Sequence, residues 1–106
     1  MKTISREELK NRLDRREPVQ LVMALGRWDY EAMHIPGSVL LDNLSNLNRA
    51  QEVIVYDTNP ACPASYRAYY LLMSLGFTNV RRFPGGIEEW LEAGYPIEGN
   101  AVNENV

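Results

Sequence analysis

The sequence predicts an α/β fold, a single small domain in which helices cover a parallel sheet. Two observations carry that reading. Residues 53–56, Val-Ile-Val-Tyr, form a short β-branched and aromatic run between polar neighbours, the pattern of a central parallel strand buried on both faces. Along the rest of the chain, further strand-like runs alternate with helical patterns, the order that builds a parallel sheet.

Composition narrows the function classes. With 106 residues, 45% of them hydrophobic, the chain can fill one core and not two. A net charge of -3 and a pI near 5.1 give no basic footprint, so no nucleic-acid partner is expected. No stretch approaches the ~20 apolar residues of a membrane span, and the start lacks a charged-then-apolar leader pattern; the expected location is cytoplasmic, without a membrane partner. One cysteine excludes an internal disulfide framework, and with one histidine it argues against a metal site. Cys62 is therefore a reactive, an intermolecular or a packed thiol.

Taken in order, Ser5 and Glu8 form a capping box, with Ile4 placed to staple onto Leu9, and open a short amphipathic helix over residues 6–15 that ends before Pro18. The charges from Lys10 to Arg16 belong to its solvated face. Residues 19–24 read as the first core strand, broken by Gly26. Residues 27–33 make one or two helical turns with Trp28 and Tyr30 partly buried. A His-Ile-Pro-Gly-Ser turn then leads into a strand at 39–41. His34, the sole histidine, is a general-base candidate or a ring bonded to backbone beside that turn. Residues 42–52 are polar and Asn-rich, a short helix or a loop anchored by Leu44 and Leu47.

After the central strand, Asp57 stands at its carboxyl end. Pro60 and Pro63 delay the next helix, for which Ser65 is a suitable N-cap over residues 66–75, with Gly76 closing it. Tyr66, Tyr69 and Tyr70 with Leu71, Leu72, Met73 and Leu75 make that helix apolar nearly all round, which predicts core packing. Residues 77–83 supply a further strand, whose Arg81-Arg82 pair reads as solvated. Pro84-Gly85-Gly86 is a turn that permits positive φ, and residues 87–93 are a short helix burying Ile87, Trp90 and Leu91, ended by Gly94. The domain is expected over residues 1–98, and residues 99–106 as a frayed tail.

These pieces, in this order and spacing, resemble a single rhodanese-homology domain from Ile4 to about Glu98. The match lies in the ISREEL opening, Asp29-Tyr30 followed by HIPGS, the VIVYD strand, Ala64-Ser65 and Ala68, LGFTNVRRFPGGIEEW, and AGYPIEG. The resemblance implies a rhodanese-like parallel sheet of about five strands with helices on both faces, and an active-site loop that cradles an anion after the central strand. In enzymes of the family a cysteine directly after the strand's aromatic residue carries sulfur as a persulfide. Here that position is Asp57. An Asp-x-Arg common at the end of the family's first strand is Met23-Ala24-Leu25 here, which leaves Asp29 without that arginine. The loop reads DxxxxCxxS, similar to a subset with a cysteine at both positions, of which only the second survives.

Two functions follow from different classes. One is a sulfurtransferase or persulfide carrier with Cys62 as nucleophile, favoured as a thiolate by the helix ahead of it, and needing no cofactor. The other is a non-catalytic module that binds a small anion, a sulfur-containing one included, or a protein partner, as a monomer or weak dimer. In either case the binding loop comprises Asp57, Thr58, Asn59, Ala61, Cys62, Ala64 and Ser65, with Arg67 reaching an anion at its mouth or simply solvated. Asp57 is expected to accept hydrogen bonds from the N–H groups around residues 59–62.

Overall fold

The computed structural model describes residues 1–103. Its elements are α1 (Arg6–Asp14), β1 (Gln20–Met23), α2 (Arg27–Ala32), β2 (Val39–Leu40), β3 (Val53–Tyr56), α3 (Ala64–Ser74), β4 (Val80–Phe83), α4 (Gly86–Glu92) and a 3-10 turn at Asn100–Asn103. All strands are parallel in the order β2-β1-β3-β4, so β3 is interior and paired on both sides, Val22 and Arg82 flanking Val55.

Side chains alternate across the sheet and build two cores. Leu21, Met23, Ile54, Tyr56 and Phe83 face α1, α2 and α4. Val22, Val53, Val55 and Val80 face α3 and the anchors Leu44 and Leu47. Helices thus lie on both faces, as the uninterrupted apolar run of β3 requires.

The sheet has four strands where about five were expected. The chain start takes the fifth place only as a single bridge from Thr3 to Arg82: the Arg82 N–H donates to the Lys2 carbonyl at 2.9 Å and the Ile4 N–H to the Arg82 carbonyl at 3.0 Å. Ser5 ends the extended run there, because its hydroxyl accepts the Glu8 N–H at 3.1 Å and starts α1, as the capping box predicted.

Other expectations are corrected. The α3 helix begins at Ala64, two residues before the predicted start, since Pro63 already holds helical dihedrals. It buries only Ser65, Ala68, Tyr69 and Leu72; Tyr66, Tyr70, Leu71, Met73 and Leu75 stand 42–50% exposed. Only one side of a helix can meet a sheet, and among the described residues nothing overlies α3. Trp28 is 91% exposed and Leu91 42%, for the same reason on α2 and α4. Residues 42–52 are a loop, held by the Gln20 side chain, which donates to the Asn48 carbonyl at 2.9 Å and accepts the Asn48 N–H at 2.6 Å.

At the end of the expected domain, Glu98 pairs with His34 in an antiparallel bridge, and in the expected tail the 3-10 turn packs on α2. A Cβ at Gly99 would stand 2.6 Å from the Ala32 carbonyl carbon, so glycine permits that approach. Residues 104–106 of that tail lie outside the described residues. No described helix is long and apolar enough to cross a membrane.

Candidate functional site

The carboxyl end of β3 delivers Asp57 into the interior. Its side chain is fully buried, and Oδ2 accepts the Ser65 N–H at 2.6 Å. Ser65 is the second residue of α3, and Pro63 at the helix N-cap provides no side-chain bond. Asp57 therefore caps α3 from across the loop, its charge placed on free N–H groups at the positive end of the helix dipole. Oδ1 is buried and has no hydrogen-bond partner among the described residues. The predicted donors around residues 59–62 do not reach Asp57, because Asn59 claims them: its Oδ1 accepts the Ala61 N–H at 3.0 Å and the Cys62 N–H at 3.1 Å. Such Asx turns let a side chain replace a backbone acceptor.

On the other side, α4 is stitched to the loop. The Ile87 N–H donates to the Asp57 carbonyl and the Glu88 N–H to the Thr58 carbonyl, each at 2.9 Å. This approach depends on Gly86, whose φ is +63° and where a Cβ would lie 2.8 Å from the Thr58 oxygen.

Cys62 is a free, half-buried thiol. Its carbonyl accepts Arg82 Nη2 at 3.3 Å, while Arg82 Nε donates to the Ser65 hydroxyl at 2.7 Å. Arg82 was read from sequence as solvated; it is instead the cation that spans the loop. Strand alternation held the clue: Val80 faces α3, so Arg82, two residues on, faces the same side at the strand's loop end. Arg81, on the opposite face, donates to Glu8 at 2.8 Å, and that bond holds the Glu8 carboxyl below its usual range.

Thus Asp57, Ser65, Cys62 and Arg82 are gathered at one place, with Asn59, Ala61 and Ala64 in the same loop. Arg67 is exposed on α3 and makes no side-chain bond among the described residues. His34 belongs elsewhere: its ring stacks on Tyr30 with centroids 3.9 Å apart, and its Nδ1 lies 2.6 Å from the Tyr30 carbonyl. Its other nitrogen is 3.4 Å from Glu98, so His34 fastens the C-terminal segment to α2. Among the described residues no three His, Cys, Asp or Glu side chains gather to hold a metal. Chemically, the loop offers one buried anion, one guanidinium and one thiol, with the N–H groups of residues 61, 62 and 65 already donated.

Comparison with known proteins agrees with this architecture. A family model described as a Rhodanese-like domain matches residues 5–93. A mycobacterial HTH-type transcriptional regulator, Rv0324 of Mycobacterium tuberculosis, is 31% identical over 92% of this chain, which spans 45% of the regulator's length. The solution structure of the rhodanese-like domain of the Anabaena Alr3790 protein superposes with a TM-score of 0.86 at 27% identity, covering 98% of this chain and 83% of that one. The BH2092 protein of Bacillus halodurans has the same fold, with a TM-score of 0.88 at 24% identity over 94% of this chain and 78% of the other.

Proposed function

The chain belongs to the rhodanese-like domain family, and we propose that within it this domain is a binding module whose strand-end site does not carry sulfur. One observation supports this above the others: a buried carboxylate, Asp57, occupies the helix terminus where family enzymes hold a persulfide. Carboxylate oxygen cannot accept sulfane sulfur and keep it transferable. Its charge also opposes thiosulfate in a site of low dielectric. The Asp57 carboxylate acts as a built-in anion that orders the loop, which keeps the fold while dispensing with the chemistry. The mycobacterial relative is named as a transcriptional regulator, and a domain that binds rather than reacts suits a regulatory chain.

A second reading rests on the half-buried Cys62. As a persulfide carrier, its thiolate would attack the sulfane sulfur of thiosulfate, forming an S–S bond as sulfite leaves. Intact mass after incubation with thiosulfate or a persulfide donor separates the two readings. The binding-module reading expects no added sulfur on the native protein. An adduct on native protein that is absent in Cys62→Ser would overturn it in favour of the carrier.

A further inference from the structure

Resting on the binding-module reading, we infer that the domain's partner presents an arginine side chain to the crevice between the carboxyl ends of β1 and β3. In the order β2-β1-β3-β4 the chain leaves β1 toward one edge of the sheet and β3 toward the other. Parallel α/β sheets open a crevice at such a switch point, beyond the strand ends.

Here the crevice encloses about 170 Å³ between α2 and the start of α4. Leu25, Met33 and Ile87 make its walls apolar, and Asp29 and Thr58 are its polar groups. That volume is below the roughly 300–1,000 Å³ of small-molecule pockets, and it suits one inserted side chain.

Charge selects which side chain. Asp29, Glu31 and Glu88 are exposed, and none forms an ion pair among the described residues. The cation of α2, Arg27, is taken by Asp42 at 3.6 Å, and the net charge of the chain is -3. Trp28 then favours arginine over lysine. It is 91% exposed, and it precedes Ala32, a lining residue of the crevice, by one turn on the same side of α2. A guanidinium can stack its plane on an indole while pairing in two-pronged fashion with a carboxylate; an ammonium cannot. An exposed tryptophan on the helix that lines a small apolar recess also has the make-up of an interface anchor.

The test is a chemical-shift titration of the 106-residue protein with a blocked Gly-Arg-Gly peptide, its citrulline counterpart and free arginine. Saturable shifts are expected at the Trp28 indole and at the Leu25, Asp29 and Thr58 amides. Affinity should fall about tenfold or more for the citrulline peptide and for Asp29→Asn, as loss of a charge pair requires. Both Asp29 and Trp28 are exposed, so Asp29→Asn and Trp28→Ala should keep native spectra while the response to the peptide weakens. No saturable shift with the arginine peptide, or equal shifts with citrulline, would overturn the inference; tighter binding of free arginine than of the peptide would overturn a protein partner. A silent titration with no sulfur adduct removes this surface and leaves the module reading standing. A Cys62 adduct beside a normal titration does the reverse.

Discussion

The Asp57 carboxylate and the Ser65 main-chain N–H meet at 2.6 Å, eight residues apart in sequence, and through that bond the end of β3 caps α3. This arrangement separates a role for the oxygen from a role for the charge. Asp57→Asn retains an acceptor for the Ser65 N–H and removes a buried charge whose second oxygen has no partner among the described residues; its stability should stay within about 1 kcal/mol of the parent. Asp57→Ala removes the cap and should cost about 1–2 kcal/mol. Urea denaturation of the two variants checks the contrast, and equal losses would show that the charge, not the cap, matters. Asp57→Asn should also bind small anions more tightly than the parent, by calorimetric titration with thiosulfate.

Gly86 holds α4 against the loop. Gly86→Ala places a methyl group 2.8 Å from the Thr58 oxygen on a residue with φ of +63°. The left-handed conformation alone costs roughly 1–2 kcal/mol for an L residue, and relief of the clash must break the bonds from Ile87 and Glu88. We expect a loss above about 2 kcal/mol, read as a lowered melting temperature. Gly37→Ala, also at positive φ but with no atom within 4 Å of the added carbon, serves as the control and should lose less.

A pH dependence follows from Tyr56. Its hydroxyl accepts the Ile35 N–H at 3.0 Å and lies 2.8 Å from the Ser38 hydroxyl. Ser38 gives its own proton to the Ile35 carbonyl at 2.7 Å, so Tyr56 must be the donor to Ser38. Burial, partly countered by these bonds, pushes the phenol up to about 12. A folded value above the unfolded one of about 10 means that the folded state holds the proton more tightly. This contribution is complete below pH 10 and is lost as pH rises from about 10 to 12, by a total on the order of 2–3 kcal/mol. Chemical denaturation across that range should show the decline. Tyr56→Phe should flatten it while lowering stability at pH 7 by about 1–3 kcal/mol, since it strands the Ile35 N–H.

The sheet and its cores were legible because they rest on local pattern: Val53 to Tyr56 alternate between two covered faces, and Ser5 with Glu8 marks a helix start. The site was legible as a loop but not in its bonds. Asp57 meets Ser65 because Pro63 starts α3 early, and Asn59 takes the nearer N–H groups; neither choice follows from residue type alone. Arg82 was missed because the strand's tertiary partner, not its charge, decides what it touches. The exposure of Trp28, Tyr66 and Tyr70 was missed because periodicity identifies an apolar surface and not whether anything covers it.

Arg82 draws the loop together, with Nε on the Ser65 hydroxyl and Nη2 on the Cys62 carbonyl. Arg82→Met keeps an unbranched aliphatic stem and removes both bonds, together with the longer 3.5 Å contact from Nη2 to the Pro60 carbonyl. The loop should open more often, and Cys62 should be alkylated several-fold faster at constant pH, for a global cost of only about 1 kcal/mol. Timed iodoacetamide labelling followed by mass spectrometry reads the rate. An unchanged rate would mean that Asn59 and the prolines hold the loop without Arg82.

The most demanding substitution returns a thiol to the strand end. Asp57→Cys, made together with Cys62→Ser so that no disulfide can form in the loop, puts sulfur near the Ser65 N–H at the start of α3. A thiolate is stabilised at a helix amino terminus, and it can attack the sulfane sulfur of thiosulfate while sulfite departs. The double variant should gain one sulfur atom by intact mass on incubation with thiosulfate, and cyanide should remove it as thiocyanate. Asp57→Ala with Cys62→Ser should gain nothing. If the thiol variant folds, shown by a native-like spectrum, yet stays unmodified, then the charge at position 57 is not what stops the chemistry. The cause would lie in Asn59, whose side chain holds the Ala61 N–H that an incoming anion needs and shares the Cys62 N–H with its own carbonyl; adding Asn59→Gly should then free the Ala61 donor, leave the Cys62 N–H on the residue 59 carbonyl, and restore the adduct.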